Sequence, residues 1–140
     1  MKANAMYGKH QILFPEDSIV IKKYISGIEG GRTLDVAGYP VANVFAGSPI
    51  IKKDEVYMPM PLKENGTNED GSKKYAYAAL PEGAEYVGVC YRSLSVTDGE
   101  CSIMFDGIVN EAILPYDFAT IKEAFAKACP HIIFQQDEEA

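Results

Sequence analysis

Along most of the chain the apolar residues come in short runs, punctuated by proline, glycine and acidic residues, and only one segment near the C-terminus carries helical spacing. Between Gln11 and Ile28 they cluster as Ile12, Leu13, Phe14 and again as Ile19, Val20, Ile21, with Pro15, Asp17 and Ser18 between the clusters. Neither cluster sustains a helical period, so the pattern predicts an N-terminal arm of two short extended pieces, then a loop at Gly27 to Gly31. Thr33 to Val44, with Leu34, Val36, Val41 and Val44 broken by Gly38, Tyr39 and Pro40, predicts two short strands joined at a turn. Ala46-Gly47-Ser48-Pro49 is turn chemistry ahead of a strand at Ile50 to Lys52. Glu55 to Leu62 also reads as extended, and because Pro59 and Pro61 lack a backbone donor it belongs at a sheet edge. Lys63 to Lys74 holds Asn65, Gly66, Asn68, Asp70 and Gly71 without one apolar residue, which predicts an exposed, mobile loop.

Glu85 to Leu114 is richer in β signals. Val87, Val89 and Tyr91 alternate with Gly88 and Cys90, and the small residues predict close approach of a neighbouring backbone. Thr97-Asp98-Gly99-Glu100 supplies a turn before Cys101 to Phe105. Asp106-Gly107 then separates that run from Ile108 to Ile113, which predicts a hairpin, or alternatively a bulge within one bent strand. After Leu114-Pro115 the period changes: Phe118, Ile121, Phe125 and Ala128 share one helical face over Asp117 to Cys129, Asp117 can cap the first turn, and Pro130 stops the helix. Ile132, Ile133 and Phe134 can add a last strand before the acidic tail from Gln135 to Ala140, expected to be solvated. The expected fold class is mainly β: a compact β-barrel or β-sandwich-like domain with one short C-terminal α-helix and an extended N-terminal arm.

Composition narrows the functional classes. At 140 residues, 47% hydrophobic and 24% charged, the chain matches one globular domain with a core of its own. A net charge of -7 opposes generic binding to a phosphate backbone, which draws its affinity from Lys and Arg, and it also disfavours anionic membranes. Met1 to His10 lacks the apolar run of a secretory signal, and no segment approaches the roughly 18 apolar residues of a membrane span, so folding in the cytoplasm is expected. Cys90, Cys101 and Cys129 are odd in number and lie in apolar contexts, as buried reduced thiols do. Asn65-Gly66-Thr67 matches a glycosylation acceptor but reads as turn chemistry without secretion.

The supply of reactive groups is thin. His10 and His131 sit at an arm and at an element end, and no nucleophile elbow, zinc-binding His pair or phosphate-cradling loop is present. Cys90, Cys101, Cys129 and His131 do not have the spacing that places two metal ligands on one turn. Asp98, Glu100 and Asp106 lack the alternating ligands of a calcium loop and read as turn residues. Neither a catalytic residue, a metal nor a cofactor is expected. Tyr75, Tyr77, Tyr86 and Tyr91 lie close along the chain, where they either present flat faces for sugar or protein contact or pack within a sheet.

Several pieces in order resemble the head decoration and head fibre proteins of tailed phages: Ala46-Gly47-Ser48-Pro49-Ile50, Tyr86-Val87-Gly88-Val89, Gly107-Ile108-Val109-Asn110-Glu111-Ala112, Leu114-Pro115, and Ile121 to Phe134. Val109 to Pro115 is the most specific part, and the resemblance covers roughly two-thirds of the chain. It divides the chain into an N-terminal arm with first strands (1–45), a decoration-like β domain (46–134) and an acidic tail (135–140), one domain overall. It implies a non-enzymatic auxiliary protein, made in the host cytoplasm, that docks as a homotrimer on the major capsid protein at the virion exterior and reinforces the shell. The first 45 residues lie outside the resemblance, and their apolar but interrupted pattern can add strand hydrogen bonds and apolar contact to a neighbour. Ile12, Leu13, Phe14, Ile19 and Ile21 are the expected capsid contacts. Alternatively, Ile12 to Ile21 forms an edge of the chain's own sheet. The other functional class open to this sequence is a carbohydrate- or protein-binding β-sandwich on a phage or cell surface, using Tyr75 to Tyr91, with a small hydrolase built on acidic residues third.

Overall fold

A computed structural model describes residues 20–98 and 100–135. Among them the strands are β1 (Ile21–Gly27), β2 (Arg32–Thr33), β3 (Asn43–Val44), β4 (Pro49–Lys53), β5 (Val56–Pro59), β6 (Leu62–Thr67), β7 (Lys73–Tyr77), β8 (Glu85–Cys90), β9 (Leu94–Ser95), β10 (Glu100–Cys101), β11 (Ile103–Asn110) and β12 (Ile132–Gln135). A 3₁₀ turn at Glu111–Ile113 and one α-helix, α1 (Lys122–Ala128), complete the elements. Among the described residues the fold is mainly β with a short helix near the C-terminus, as the sequence pattern predicts.

The body is a six-stranded sheet in the order β1-β11-β8-β4-β5, with β12 also paired to β11. Its spine is β11. One edge pairs antiparallel with β1, and the other pairs first with β8 through Ile103 and Met104 and then, in parallel, with β12 from Gly107 to Asn110. The end strands β1 and β5 do not pair with each other, so the sheet is open and the closed-barrel expectation is corrected. The edge expected from Pro59 is found: among the described residues β5 pairs along its length with β4, and on its other side it has one isolated bridge, Tyr57 to Leu34, beside the bond from Asp35 N to Tyr57 O.

Around its central strands both faces of this sheet are covered. Ile50 and Ile51 are neighbours in β4, both 0% exposed, yet they belong to different cores. A strand buried on both faces needs such a continuous apolar run rather than alternation. On one side Ile51, Val89, Met104 and Val109 pack with Tyr77 of β7 and with Phe118, Ile121 and Phe125. On the other, Ile50, Cys90 and Ile103 pack with Leu34, Val44, Leu94 and Cys101. The second core is roofed by two ribbons, β2 with β10 and β3 with β9. Thr33 to Val44 holds the end of β2 and all of β3, while Leu34, Val36 and Val41 lie outside the strands, and β2 and β3 pair with β10 and β9 rather than with each other.

Three other expectations change. Asp106-Gly107 is no hairpin turn: β11 runs straight through it, pairing Asp106 with Ser26 and Gly107 with Tyr24, and the irregularity appears as register shifts against β1. The bent-strand alternative describes it, and glycine is required because a Cβ at 107 would collide with the Lys23 carbonyl oxygen and the Met104 thioether. Lys63 to Lys74 is exposed as expected but is not a loop, since most of it forms the β6-β7 ribbon. Its turn is held by the amides of Asn68 and Gly71, which donate to Ser72 O and Asn68 O, and by Asp70 Oδ1, which accepts from Ser72 N at 2.9 Å. The helix is shorter than Asp117 to Cys129. Asp117 Oδ1 accepts from Ala119 N at 3.0 Å and caps a preceding turn, and Cys129, not the exposed Ala128, takes the fourth buried position. So short a helix is marginal alone and is held by the packing of Phe125.

The arm also departs from expectation. Ile21 opens β1 opposite Val109, is 6% exposed and belongs to the chain's own core, so it is not offered to a partner. The own-sheet alternative for Ile12 to Ile21 therefore holds at Ile21, and β1, which Ile21 opens, shares one sheet with strands from 46–134. Ile12, Leu13, Phe14 and Ile19 lie outside the described residues, as does the tail beyond Gln135.

Candidate functional site

At the β1 end the sheet leaves apolar surface uncovered. Only Ile21 of β1 is buried, and Tyr24 and Ile25 are 42% and 52% exposed. Phe105 of β11 is 37% and Ile133 of β12 is 48% exposed. The three strands are adjacent, and their registers align Lys23 with Ile108 and Ile108 with Ile133 across the sheet. The outer edge of β1 is unpaired among the described residues. An open edge presents backbone donors and acceptors to an added strand, while its register shifts and the exposed Lys22 and Lys23 act against indiscriminate pairing. Full burial of an aliphatic side chain such as Ile25 or Ile133 is worth about 1.5–3 kcal/mol, so a partner seated here gains affinity from a few residues. The Tyr24 ring packs on Tyr91 at 4.6 Å, and the Arg92 guanidinium lies 5.1 Å from the Tyr91 ring.

The element singled out by sequence, Val109 to Pro115, positions this region from behind. Val109 is in the core, and Asn110 is 0% exposed, with its side chain accepting from Ala112 N to fix the 3₁₀ turn at 3.1 Å. Glu111 forms an ion pair with Lys122 of α1 at 2.7 Å. Leu114 and Val20 crowd the Gly47 position at 2.8 Å from where a Cβ would lie, and Gly47 has φ +91°. The Ala46-Gly47 turn and the Leu-Pro element, far apart in sequence, thus interlock.

A second concavity, of about 870 Å³, opens between the β6-β7 ribbon and the segment from Pro115 to Thr120. Lys63, Lys74, Asn65 and Asp117 line it, with Tyr75, Tyr77 and Tyr116. The four tyrosines close in sequence do not form one platform. Tyr75 and Tyr77 reach the groove, Tyr86 packs inward on Phe125 at 5.3 Å, and Tyr91 lies beside Tyr24. Tyr77 is 4% exposed and packs edge-on against Tyr116 at 5.7 Å. Burial pushes the Tyr77 and Tyr39 phenols well above their ordinary range, and the nearby Ser48 hydroxyl opposes that less strongly. Tyr116 and Tyr86 are raised too, chiefly by burial. These phenols remain protonated at neutral pH.

The other candidate ligands stay apart. Cys90, Cys101 and Cys129 are buried and outside any disulfide, as the sequence predicts. Cys90 and Cys101 share one core with their sulfurs 3.5 Å apart, whereas Cys129 lies in the other. Burial lifts the Cys129 thiol to about 11. His131 is exposed, with its carbonyl accepting from Gly107 N at 3.2 Å. Asp106 pairs within β11 while Glu100 sits in β10, and no group of three or more His, Cys, Asp or Glu gathers among the described residues. His10 lies outside those residues. The exposed strand edge and its apolar side chains had a weak sequence signal, since Ile25 and Ile133 sit inside runs that also supply core residues.

Comparison with known proteins finds no match to this chain, whether among protein-family models, curated proteins or solved structures.

Proposed function

We propose that this chain is a non-enzymatic capsid decoration protein that seats its β1 edge and neighbouring apolar side chains on the outer surface of a capsid shell and stabilises it. The observation that carries this reading is the exposure of Tyr24, Ile25, Phe105 and Ile133 on three adjacent strands beside an open sheet edge. The resemblance of Val109 to Pro115 to phage head decoration proteins supports it. The partner in this reading is the major capsid protein, the location is the virion exterior, and the chain acts as a homotrimer. A sandwich-like stacking of the small ribbons on the central sheet gives a stiff body that presents this edge unchanged at every lattice site. Repetition multiplies a modest contact, because a trimer whose subunits bind together holds far more tightly than each alone.

Mixing the purified protein with expanded, undecorated shells of the phage that carries it tests the reading. Pelleted protein should saturate at a fixed copy number per lattice position, and the decorated shells should resist heat or internal pressure better than bare ones. Binding that never saturates, or none, contradicts it. The groove between β6-β7 and Pro115 to Thr120 favours a second reading, a glycan contact through Tyr75 and Tyr116 with Lys and Asn hydrogen bonding. That reading requires binding of glycans by the protein free of any shell.

A further inference from the structure

The buried Cys90 and Cys101 have no part in the docking surface, yet their placement is unusual for two inert core thiols. Cys90 ends β8 and is 0% exposed, and Cys101 ends β10 and is 1% exposed. Their backbones are held side by side: Cys90 pairs with Ile103, and Tyr91 N donates to Ser102 O at 2.8 Å. The Cys101 thiol donates toward Cys90 Sγ at 3.5 Å, which directs sulfur lone-pair density of Cys90 at Cys101. The Cys90 thiol in turn donates to Arg92 O at 2.9 Å. A sulfur–sulfur bond is about 2.05 Å long, so the two sulfurs, 3.5 Å apart, have to approach by about 1.5 Å for it to form. Cys101 also lies in the wall of a surface pocket of about 370 Å³ between Glu29 to Gly31 and the Tyr24–Tyr91 pair, and because the residue is 1% exposed a local opening of β10 has to admit the peroxide.

We propose that Cys90 and Cys101 form an oxidation site, at which hydrogen peroxide converts the two thiols into a disulfide that locks β10 to β8. The chemistry balances in two steps. The Cys101 sulfur, as thiolate, attacks one peroxide oxygen. The S–O bond forms, the O–O bond breaks, and the leaving hydroxide takes up the proton released by the Cys101 thiol and departs as water. The Cys90 sulfur then attacks the Cys101 sulfenic acid, the S–S bond forms, the S–O bond breaks, and hydroxide departs as a second water with the Cys90 proton. Two thiols give up two electrons to one peroxide. Because β10 pairs with β2, the bond fastens the β2-β10 ribbon to the central sheet. A reducing compartment leaves the pair open, and an oxidising one closes it.

The test uses the full chain, purified reduced, exposed to millimolar hydrogen peroxide, then alkylated and mapped without reductant. The expected result is an intact mass lower by about 2 Da, a linked peptide joining Cys90 to Cys101, one alkylatable thiol at Cys129, and a melting temperature raised by roughly 5–10 °C that reductant reverses. Cys101→Ser should lose the linked peptide, and Cys90→Ala serves as the second variant if the first folds poorly. Three alkylatable thiols after exposure, a link through Cys129, or accumulation of sulfinic acid at Cys101 in place of the bond would each overturn the proposal.

Discussion

Replacing Phe125 with alanine is expected to cost about 3–5 kcal/mol of folding stability, a large share of the roughly 5–15 kcal/mol typical of a folded domain. The side chain is 0% exposed at the centre of an aromatic cluster, with ring centroids of Tyr86 and Phe118 at 5.3 Å and Phe134 at 5.9 Å. These contacts join α1 to β8, to β12 and to the turn before the helix. The cavity left behind is bordered by rings too stiff to collapse into it, which places the cost in the upper range for such truncations. Urea denaturation checks this through the midpoint shift, and a loss below about 1 kcal/mol would show that α1 is not needed for the sheet.

A similarly large effect is expected at Gly88. A Cβ there would run into the Met104 carbonyl oxygen and press on the Ile103 side chain at 3.3 Å. β8 and β11 are joined through only Cys90–Ile103 and Val89–Met104, so there is little ladder to absorb the displacement. Gly88→Ala should cost about 1–3 kcal/mol as overpacking, and Gly88→Val more, to the point of poor soluble yield. Thermal melting of the two variants reads this directly. Equal stability of Gly88→Val and the parent would mean that β8 can slide away from β11 and that the central sheet is looser than its register indicates.

Much of this architecture is legible in the chain because each signal has one physical cause. Pro130 can only stop a helix, Pro59 can only sit where a donor is not needed, and the Gly88 position is filled by the residue that a close backbone demands. The misreadings share a different origin. Asp106-Gly107 has the composition of a tight turn, but what glycine supplies there is room beside Lys23 O and the Met104 thioether, a tertiary requirement invisible in local composition. β6 and β7 lack apolar alternation because both their faces are largely wet, so they are held by backbone pairing and an Asn-Asp turn that a polar loop would share. Ile21 and Ile25 look alike in sequence, yet one is 6% and the other 52% exposed, and irregular register against β11 decides which faces the core. The candidate docking surface was therefore legible as an apolar N-terminal region but not as particular side chains.

The proposed seating of a strand edge and its apolar neighbours on a repeating shell rests on Ile25 and Ile133, 52% and 48% exposed. It is tested most directly by quantitative pelleting of the Ile25→Lys/Ile133→Lys double variant with expanded shells, beside the parent protein. Both positions are exposed, so the variant should keep the parent's melting temperature while its half-saturation concentration rises at least about a hundredfold, the loss of two buried aliphatic contacts. Parent-like occupancy by a folded variant would contradict the account.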